Sequence, residues 1–277
     1  MSPSKRKAPA GPNFRTDLAR RASAVGIATE HLDRALVIGQ IAGLLAQDKT
    51  LKGNIAHKGA AMLHLVNRSP RLSRDLDSAD IRGRAVDERD IKRALSTPAA
   101  QRVVRKIDRI TAGGADSLTL LLHCRPLRGA ASMGITFSIN WSEPFLLKPV
   151  METYKVRGDE IIRVPVMDPR ERAAEKVRAF LTRGEASDAY DLWWYATKVL
   201  SEAELLKLGP LIRKKLDTSR LPSDLELHPH FDQMRDTAKN EWDRGANLII
   251  AATDKPAWPK VAAALARFKR VVPQRPR

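Results

Sequence analysis

Between Ile55 and Asp80 the hydrophobic period switches from two to 3.6 and back to two inside one short stretch, IAHKGAAMLHLVNRSPRLSRDLDSAD. A chain that does this must place strand, helix and strand in quick succession, so its fold packs helices on a sheet. Residues 54–57 read as a short strand, Gly59 as a turn, and the run after it as a helix of one or two turns. Ser69-Pro70 breaks that helix, and a second strand then carries Asp75 and Asp77, one residue apart. Side chains two apart on a strand point to the same side, so both carboxylates can converge on one point. Two hard oxygen donors suit Mg²⁺, which keeps its other positions for water and phosphate oxygens. The Lys58-Gly59-Ala60 turn opens a helix and offers free N–H groups and a positive dipole end to an anion. A lone Asp-x-Asp is common on exposed strands, and a lone Lys-Gly is mostly a turn. Here the two stand together, with Arg71 and Arg74 crowding the aspartates. A phosphate turn beside a carboxylate metal site is what nucleotidyl transfer requires.

The rest of the chain supplies the layers. Residues 17–47 are helical in pattern, with Thr29-Glu30 resembling a helix start and Leu32, Leu36, Ile41 and Leu45 on the apolar stripe. Residues 87–98 read as a helix with acidic residues in its first turn, and Ala99–Thr111 as another. Strand-like runs follow at Ser117–Cys124, Met133–Trp141, Phe145–Val156 and Glu160–Val166, with turns at Gly113-Gly114, Arg128-Gly129 and Arg157-Gly158-Asp159. Strands grouped between helices indicate an α+β domain with a mixed or antiparallel sheet. At Asp168-Pro169 the character changes: Asp168 suits an N-cap, Pro169 the first helical position, and Gly184 the stop. Lys176 and Arg183 are two turns apart on that helix and can face one cleft. A second helix starts at Ser187, and helical patterns run through 201–217, 230–245 and 256–270. Everything after 168 reads as a helical lobe.

Charge narrows the partners. Lys and Arg number 49 against 32 Asp and Glu, a formal +17, and the excess continues through 68–109 and 155–183 as well as the ends. Such a surface favours a polyanion, with nucleic acid first. Aromatic residues are 5%, which argues against a base-stacking platform and for backbone contacts. The single Cys124, in an apolar run, excludes an internal disulfide framework and a multi-cysteine zinc site and reads as core. His228-Pro229-His230 lacks further ligands nearby, and His57 and His64 read as structural or cleft residues. No G-x-S-x-G, H-E-x-x-H or Gly-rich nucleotide fingerprint is present. No apolar run reaches membrane-spanning length and the first residues lack a signal-peptide core, so a cytoplasmic protein is expected, with residues 1–14 a disordered basic tail.

Three blocks in order, HKGAAMLHL, PRLSRDLDS and DPRERAAEKVRAFLTRGEASDAYDLWW, resemble the AbiEii/AbiGii toxin family. These are nucleotidyltransferase-like proteins of prokaryotic toxin–antitoxin systems, related to the MenT-type toxins. The family pattern runs roughly K-G-G-[ST]-x-L, then R-x-S-x-D-[IL]-D, then E-K-x-x-A-x-x-x-R-x-x-x-x-D-x-x-D. The resemblance implies a DNA-polymerase-β-like nucleotidyltransferase core over 15–167 and a helical C-terminal lobe over 168–277. It places Lys58 and Gly59 at the phosphate turn, and Asp75 and Asp77 at the metal-binding carboxylates, with Arg71 and Ser73 just before them. Lys176 falls at the later lysine, Arg183 and Asp188 follow it, and Asp191 falls at the last acid, to orient Lys176 or act as a base. Ala60-Ala61 departs from the pattern and forfeits a hydroxyl contact. No third metal carboxylate is evident, Glu143 and Asp168 being guesses. The implied activity is Mg²⁺-dependent transfer of a nucleoside monophosphate from an NTP to an RNA, a tRNA 3′ end above all, which blocks translation until an antitoxin restrains it. The alternatives are a protein or small-molecule acceptor, or a silent RNA- or antitoxin-binding protein on the same fold.

Overall fold

The computed structural model describes residues 14–275 except 84–85, 112–116, 128–131, 142, 144, 157–159, 220 and 245–247. The turns expected at Gly113-Gly114, Arg128-Gly129 and Arg157-Gly158-Asp159, and residues 1–13 of the expected tail, lie outside the described residues.

The chain opens with two helices, α1 (Phe14–Ala24) and α2 (Thr29–Gln47). Then come β1 (Ile55–Lys58), the short α3 (Gly59–Leu65), β2 (Asp75–Asp80) and α4 (Glu88–Leu95). Asp87 caps α4 in a reciprocal box with Asp90, satisfying N–H groups that the first turn leaves open. Five strands follow: β3 (Val104–Thr111), β4 (Ser117–Cys124), β5 (Met133–Asn140), β6 (Val150–Lys155) and β7 (Ile161–Val166). The helices α5 (Pro169–Arg183), α6 (Ala186–Trp194), α7 (Glu202–Leu206), α8 (Gly209–Leu216), α9 (Leu227–Asp243) and α10 (Trp258–Lys269) complete the chain.

One expectation fails. Ala99–Thr111 is a 3₁₀ turn at Ala100–Arg102 followed by β3, not a helix. Val104, Ile107 and Ile110 recur at three-residue intervals and so mimic a helical stripe. Pairing with β4 along its length, from Val104↔Cys124 to Thr111↔Thr119, overrides that local signal. The strand expected over Phe145–Val156 is also shorter, because the backbone N–H groups of Leu146 and Leu147 go to the Glu171 carboxylate rather than to a neighbouring strand.

The strands form one mixed sheet in the order β3-β4-β5-β2-β1-β7-β6. Pairs β1–β7 and β2–β5 are parallel and the rest antiparallel. Strict alternation in β4 and β5 sends Leu118, Leu120, Leu122, Ile135, Phe137 and Ile139 into the core under α2. The intervening β5 residues Thr136, Ser138 and Asn140 face the other way, and Ser138 and Asn140 line a cavity together with residues of α5. Close approach of α2 to the sheet uses Gly39 and Gly43, whose absent side chains would meet Tyr154, Val156 and Ile162. A second apolar cluster joins α5, α6, α8, α9 and α10, and Leu63 of α3 packs into it. The short α3 thus touches both cores. No helix among the described residues is long and apolar enough to cross a membrane.

Candidate active site

The site lies where β1 ends and β2 begins, on the sheet face turned towards α5. Lys58 closes β1 in extended backbone, and Gly59 turns the chain with φ +73°. A Cβ on Gly59 would sit 2.5 Å from Asp77 Oδ2, so the turn and the second aspartate fit only because this residue is glycine. Asp77 pairs with Lys58 across the antiparallel ladder. Asp75 and Asp77 stand opposite Thr136 and Ser138 of β5 in the parallel one. The Ser138 hydroxyl donates to Asp77 Oδ1 at 2.6 Å, and Thr136 donates to Asp75. Burial raises the Asp75 carboxyl pKa, with the Asp77 charge adding to that effect and the Thr136 bond opposing it. Asp75 itself is held by Ser73, whose Oγ donates to the Asp75 carbonyl at 3.0 Å.

These two acids fit a divalent cation. They share one face, are fixed by hydroxyls, and carry like charges that a bound cation relieves. A third carboxylate does not join them. Glu143 is paired with Lys58 and Arg178, and Asp168 caps α5 and pairs with Arg170. The facing positions of β5 are hydroxyls, and no group of three or more His, Cys, Asp or Glu converges among the described residues.

Lys176 comes from α5 and meets two acids of α6. Its Nζ lies 2.9 Å from Asp188 Oδ1 and 2.9 Å from Asp191 Oδ2. Arg71 holds Asp191 bidentately, Nε and Nη2 each at 2.7 Å, and Arg183 holds Asp188 at 2.6 and 2.9 Å. Burial works against the Lys176 charge, but Asp188 and Asp191 outweigh it and hold the ammonium above the ordinary lysine range. Burial likewise opposes ionisation of Asp188, yet Lys176 and Arg183 bring its pKa down to about 2. Asp191 is fully buried and also lowered, burial being outweighed by Arg71 and Lys176. Both Asp191 oxygens are thus occupied by the Arg71 and Lys176 cations, and its basicity is reduced.

Lys58 is engaged elsewhere. Its Nζ lies 2.9 Å from Glu143 Oε2 and 3.0 Å from Glu175 Oε2. Glu175 in turn binds the fully buried Lys215 of α8 at 3.0 Å, and Lys215 binds Glu171 at 2.6 Å. Its side chain therefore ties the turn to the helical lobe, and what the Lys58-Gly59-Ala60 turn presents to the cleft is mainly backbone.

Two adjoining cavities, of about 240 and 390 Å³, share Asp77, Lys176 and Arg183. The larger adds Ala60, Arg71, Ser73, Arg74 and Asp75, so Lys58, Gly59, Arg71, Ser73, Asp75, Asp77, Lys176 and Arg183 each line one cavity or the other, whereas Asp188 and Asp191 line neither. Both acids are held against the cavity-lining Lys176. A roomier cleft of about 510 Å³ between α2 and the segments at Arg102 and Arg125 holds one acid, Glu160, and no carboxylate pair. Sequence reading missed Ser138, Thr136, Glu175, Lys215 and Arg172. Polar residues at every second place of MGITFSIN were the available signal for the first two.

The order and spacing of these groups match a known pattern over most of the chain. Residues 43–267 fit the family model of the nucleotidyl transferase AbiEii toxin, type IV toxin–antitoxin system. The chain belongs to this family. Among solved structures, the AbiEii chain resembles a Helicobacter pylori protein assigned as a nucleotidyltransferase, with TM-score 0.57, 13% identity and coverage of 88% of this chain and 96% of that one. JHP933 from Helicobacter pylori gives TM-score 0.56, 14% identity, and 88% and 92% coverage. MenT4, a nucleotidyltransferase toxin from Mycobacterium tuberculosis, gives 0.50, 18%, 92% and 98%. At these identities the likeness is one of fold: a nucleotidyltransferase core with helices, as the sequence implied. No curated protein matches the chain.

Proposed function

We propose that this AbiEii protein transfers a nucleoside monophosphate from an NTP to an RNA acceptor, a tRNA 3′ end. The observation that carries the reading is the meeting, in one cleft, of the Gly59 turn, the Asp75–Asp77 pair and Lys176, drawn from three separate blocks. The acceptor hydroxyl attacks the α-phosphorus, the bond to the β-phosphate oxygen breaks, and pyrophosphate leaves with the electron pair. Asp75 and Asp77 would hold Mg²⁺; bound there, it supplies charge neutralisation at the triphosphate and acidifies the attacking hydroxyl. Lys176, kept ionised by Asp188 and Asp191, is placed to offset charge building on the phosphates. Gly59 and Ala60 offer backbone N–H groups, while Ser73, Arg74 and Arg183 line the phosphate side of the cleft. The +17 charge suits an RNA backbone. Blocking acceptor ends would stop translation, and the family's type IV toxin–antitoxin setting supplies a restraining partner.

Asp75→Ala tests the reading. Transfer is expected to be lost while RNA affinity changes little. Survival of transfer in this variant would remove the carboxylate pair from the mechanism. Label appearing on protein in place of RNA would move the acceptor to that class. Salt titration of RNA binding is expected to give a steep negative slope, and a flat one excludes backbone contacts.

A further inference from the structure

Lys58 stands directly opposite Asp77 in the antiparallel ladder of β1 and β2, so the two side chains leave the same face of the sheet. Cβ atoms so placed are about 4.5–5.5 Å apart, within reach of a lysine ammonium. A Lys58 with no other partner would fold onto Asp77 and neutralise it, because opposite charges attract strongly where water is scarce. No such pair forms among the described residues. Lys58 Nζ reaches Glu143 Oε2 at 2.9 Å and Glu175 Oε2 at 3.0 Å instead. Burial works against the Lys58 charge, but Glu175 and Glu143 outweigh it and hold the ammonium above the ordinary lysine range. Lys58 is thus a permanent cation, and its choice of partner decides whether Asp77 is left to a metal.

The groups that make this choice extend well beyond the cleft. Glu175 is shared with Lys215 of α8 at 3.0 Å, and Lys215 with Glu171 at 2.6 Å. At the other end Glu143 is shared with Arg178. The run Glu171–Lys215–Glu175–Lys58–Glu143–Arg178 therefore alternates acid and cation throughout. Glu171, Glu175 and Arg178 follow at spacings of four and three along one side of α5. The far end is firmly anchored, since Lys215 is fully buried and Glu171 also accepts from the backbone N–H groups of Leu146 and Leu147. A buried ion chain adds little stability over apolar packing, and α5 and α8 already share an apolar cluster. What the chain does fix is the direction of Lys58.

We infer that Glu143 and Glu175, backed by Lys215, are positioning residues that draw Lys58 off Asp77 and keep the Asp75–Asp77 pair open to a divalent cation. The inference rests on the carboxylate-pair reading above; metal binding can be measured without any transfer.

The test is Mn²⁺ binding to the full-length protein, followed by electron paramagnetic resonance of the free ion, with Asp75→Ala supplying the background from other sites. The double variant Glu143→Gln/Glu175→Gln keeps the side-chain shapes and releases Lys58. Its site-specific Mn²⁺ affinity is expected to fall roughly 10- to 100-fold, as for a competing ion pair. Adding Lys58→Met to the double variant is expected to bring back most of the lost affinity. Lys58→Met alone is expected to change affinity by less than about threefold, and that non-additivity separates a specific contact from general charge. An equal gain from Lys58→Met in both backgrounds, no gain in either, or an unchanged affinity in the double variant overturns the inference. Should the double variant fail to fold, Glu175→Gln carries the same cycle, since Lys215 keeps Glu171 and Lys58 keeps Glu143. A smaller loss that Lys58→Met reverses then supports the inference, and no loss overturns it. Wild-type binding equal to that of Asp75→Ala would sink the metal-pair reading and the inference with it. Additive effects in a protein that transfers label to RNA would sink the inference alone. Non-additive effects in a protein that transfers nothing would sink only the nucleotidyl-transfer reading.

Discussion

Substituting Gly59 by alanine separates the backbone cost of this turn from its chemical role, because the chain provides a matched control. Gly59 and Gly53 have nearly the same left-handed backbone, φ +73° and +79°. Alanine in that region costs about 1–2 kcal/mol, partly offset by the reduced freedom of the unfolded chain. At Gly53 a Cβ meets nothing within 4 Å. At Gly59 it would lie 2.5 Å from Asp77 Oδ2, inside the 3.0 Å that real Cβ atoms essentially never breach. Asp77 must therefore shift by about half an ångström or more, weakening its 2.6 Å bond from Ser138. Misplacement on this scale at a reacting centre is worth on the order of 100-fold in rate. Urea denaturation is expected to show both variants folded, each within about 2 kcal/mol of wild type. Labelled-NMP transfer is expected to be near wild type for Gly53→Ala and about 100-fold lower for Gly59→Ala. Transfer by Gly59→Ala within threefold of the control would refute the claim that the turn sets the position of the second aspartate.

Other expectations concern the buried charges. Asp191→Ala leaves Arg71 and Lys176 without their shared acid and is expected to cost about 3–5 kcal/mol in chemical denaturation; a loss below about 1 kcal/mol would mean the two cations find other partners. Lys215→Met should destabilise by a similar amount, on the order of 3–5 kcal/mol, and adding Glu171→Gln should restore part of it. Additive losses in the double variant would show that the two residues do not act as a pair. His57 is fully buried, bonded to Ser78 Oγ and the Ala42 carbonyl, and burial lowers its pKa from 6.5 to about 4. The unfolded chain binds the proton more readily, so this stability is complete above pH 6.5 and is lost as the pH falls towards 4. Between pH 7 and pH 5 the loss is about 2 kcal/mol, and His57→Gln should remove most of that slope in denaturation curves taken at the two values.

How much of this could be read from residues alone follows from how far apart the partners lie. The strand–turn–helix–strand unit at 55–80 was readable because its periodicity, its glycine and its Ser-Pro break are all local. The same holds for α5, with Asp168 at its cap and Gly184 at its stop. Residues 100–111 were not, because Val104, Ile107 and Ile110 fit a helical stripe as well as a strand and only pairing with β4 decides. The Asp75–Asp77 pair follows from alternation, but its partners Thr136 and Ser138 belong to another strand. Lys58 reads as a phosphate-facing lysine until Glu143, 85 residues away, and Glu175 are seen to occupy it. Arg71 and Asp191 are 120 residues apart, so their pairing emerges only from the folded geometry.

The most direct measurement of the central claim is incubation of the purified protein with total tRNA, Mg²⁺ and each labelled NTP in turn, with Asp75→Ala and Lys176→Ala run alongside. Label is expected on tRNA with at least one NTP and to be absent in both variants. Label on tRNA that persists in either variant, or no label on RNA from wild type with any of the four nucleotides, would contradict that claim.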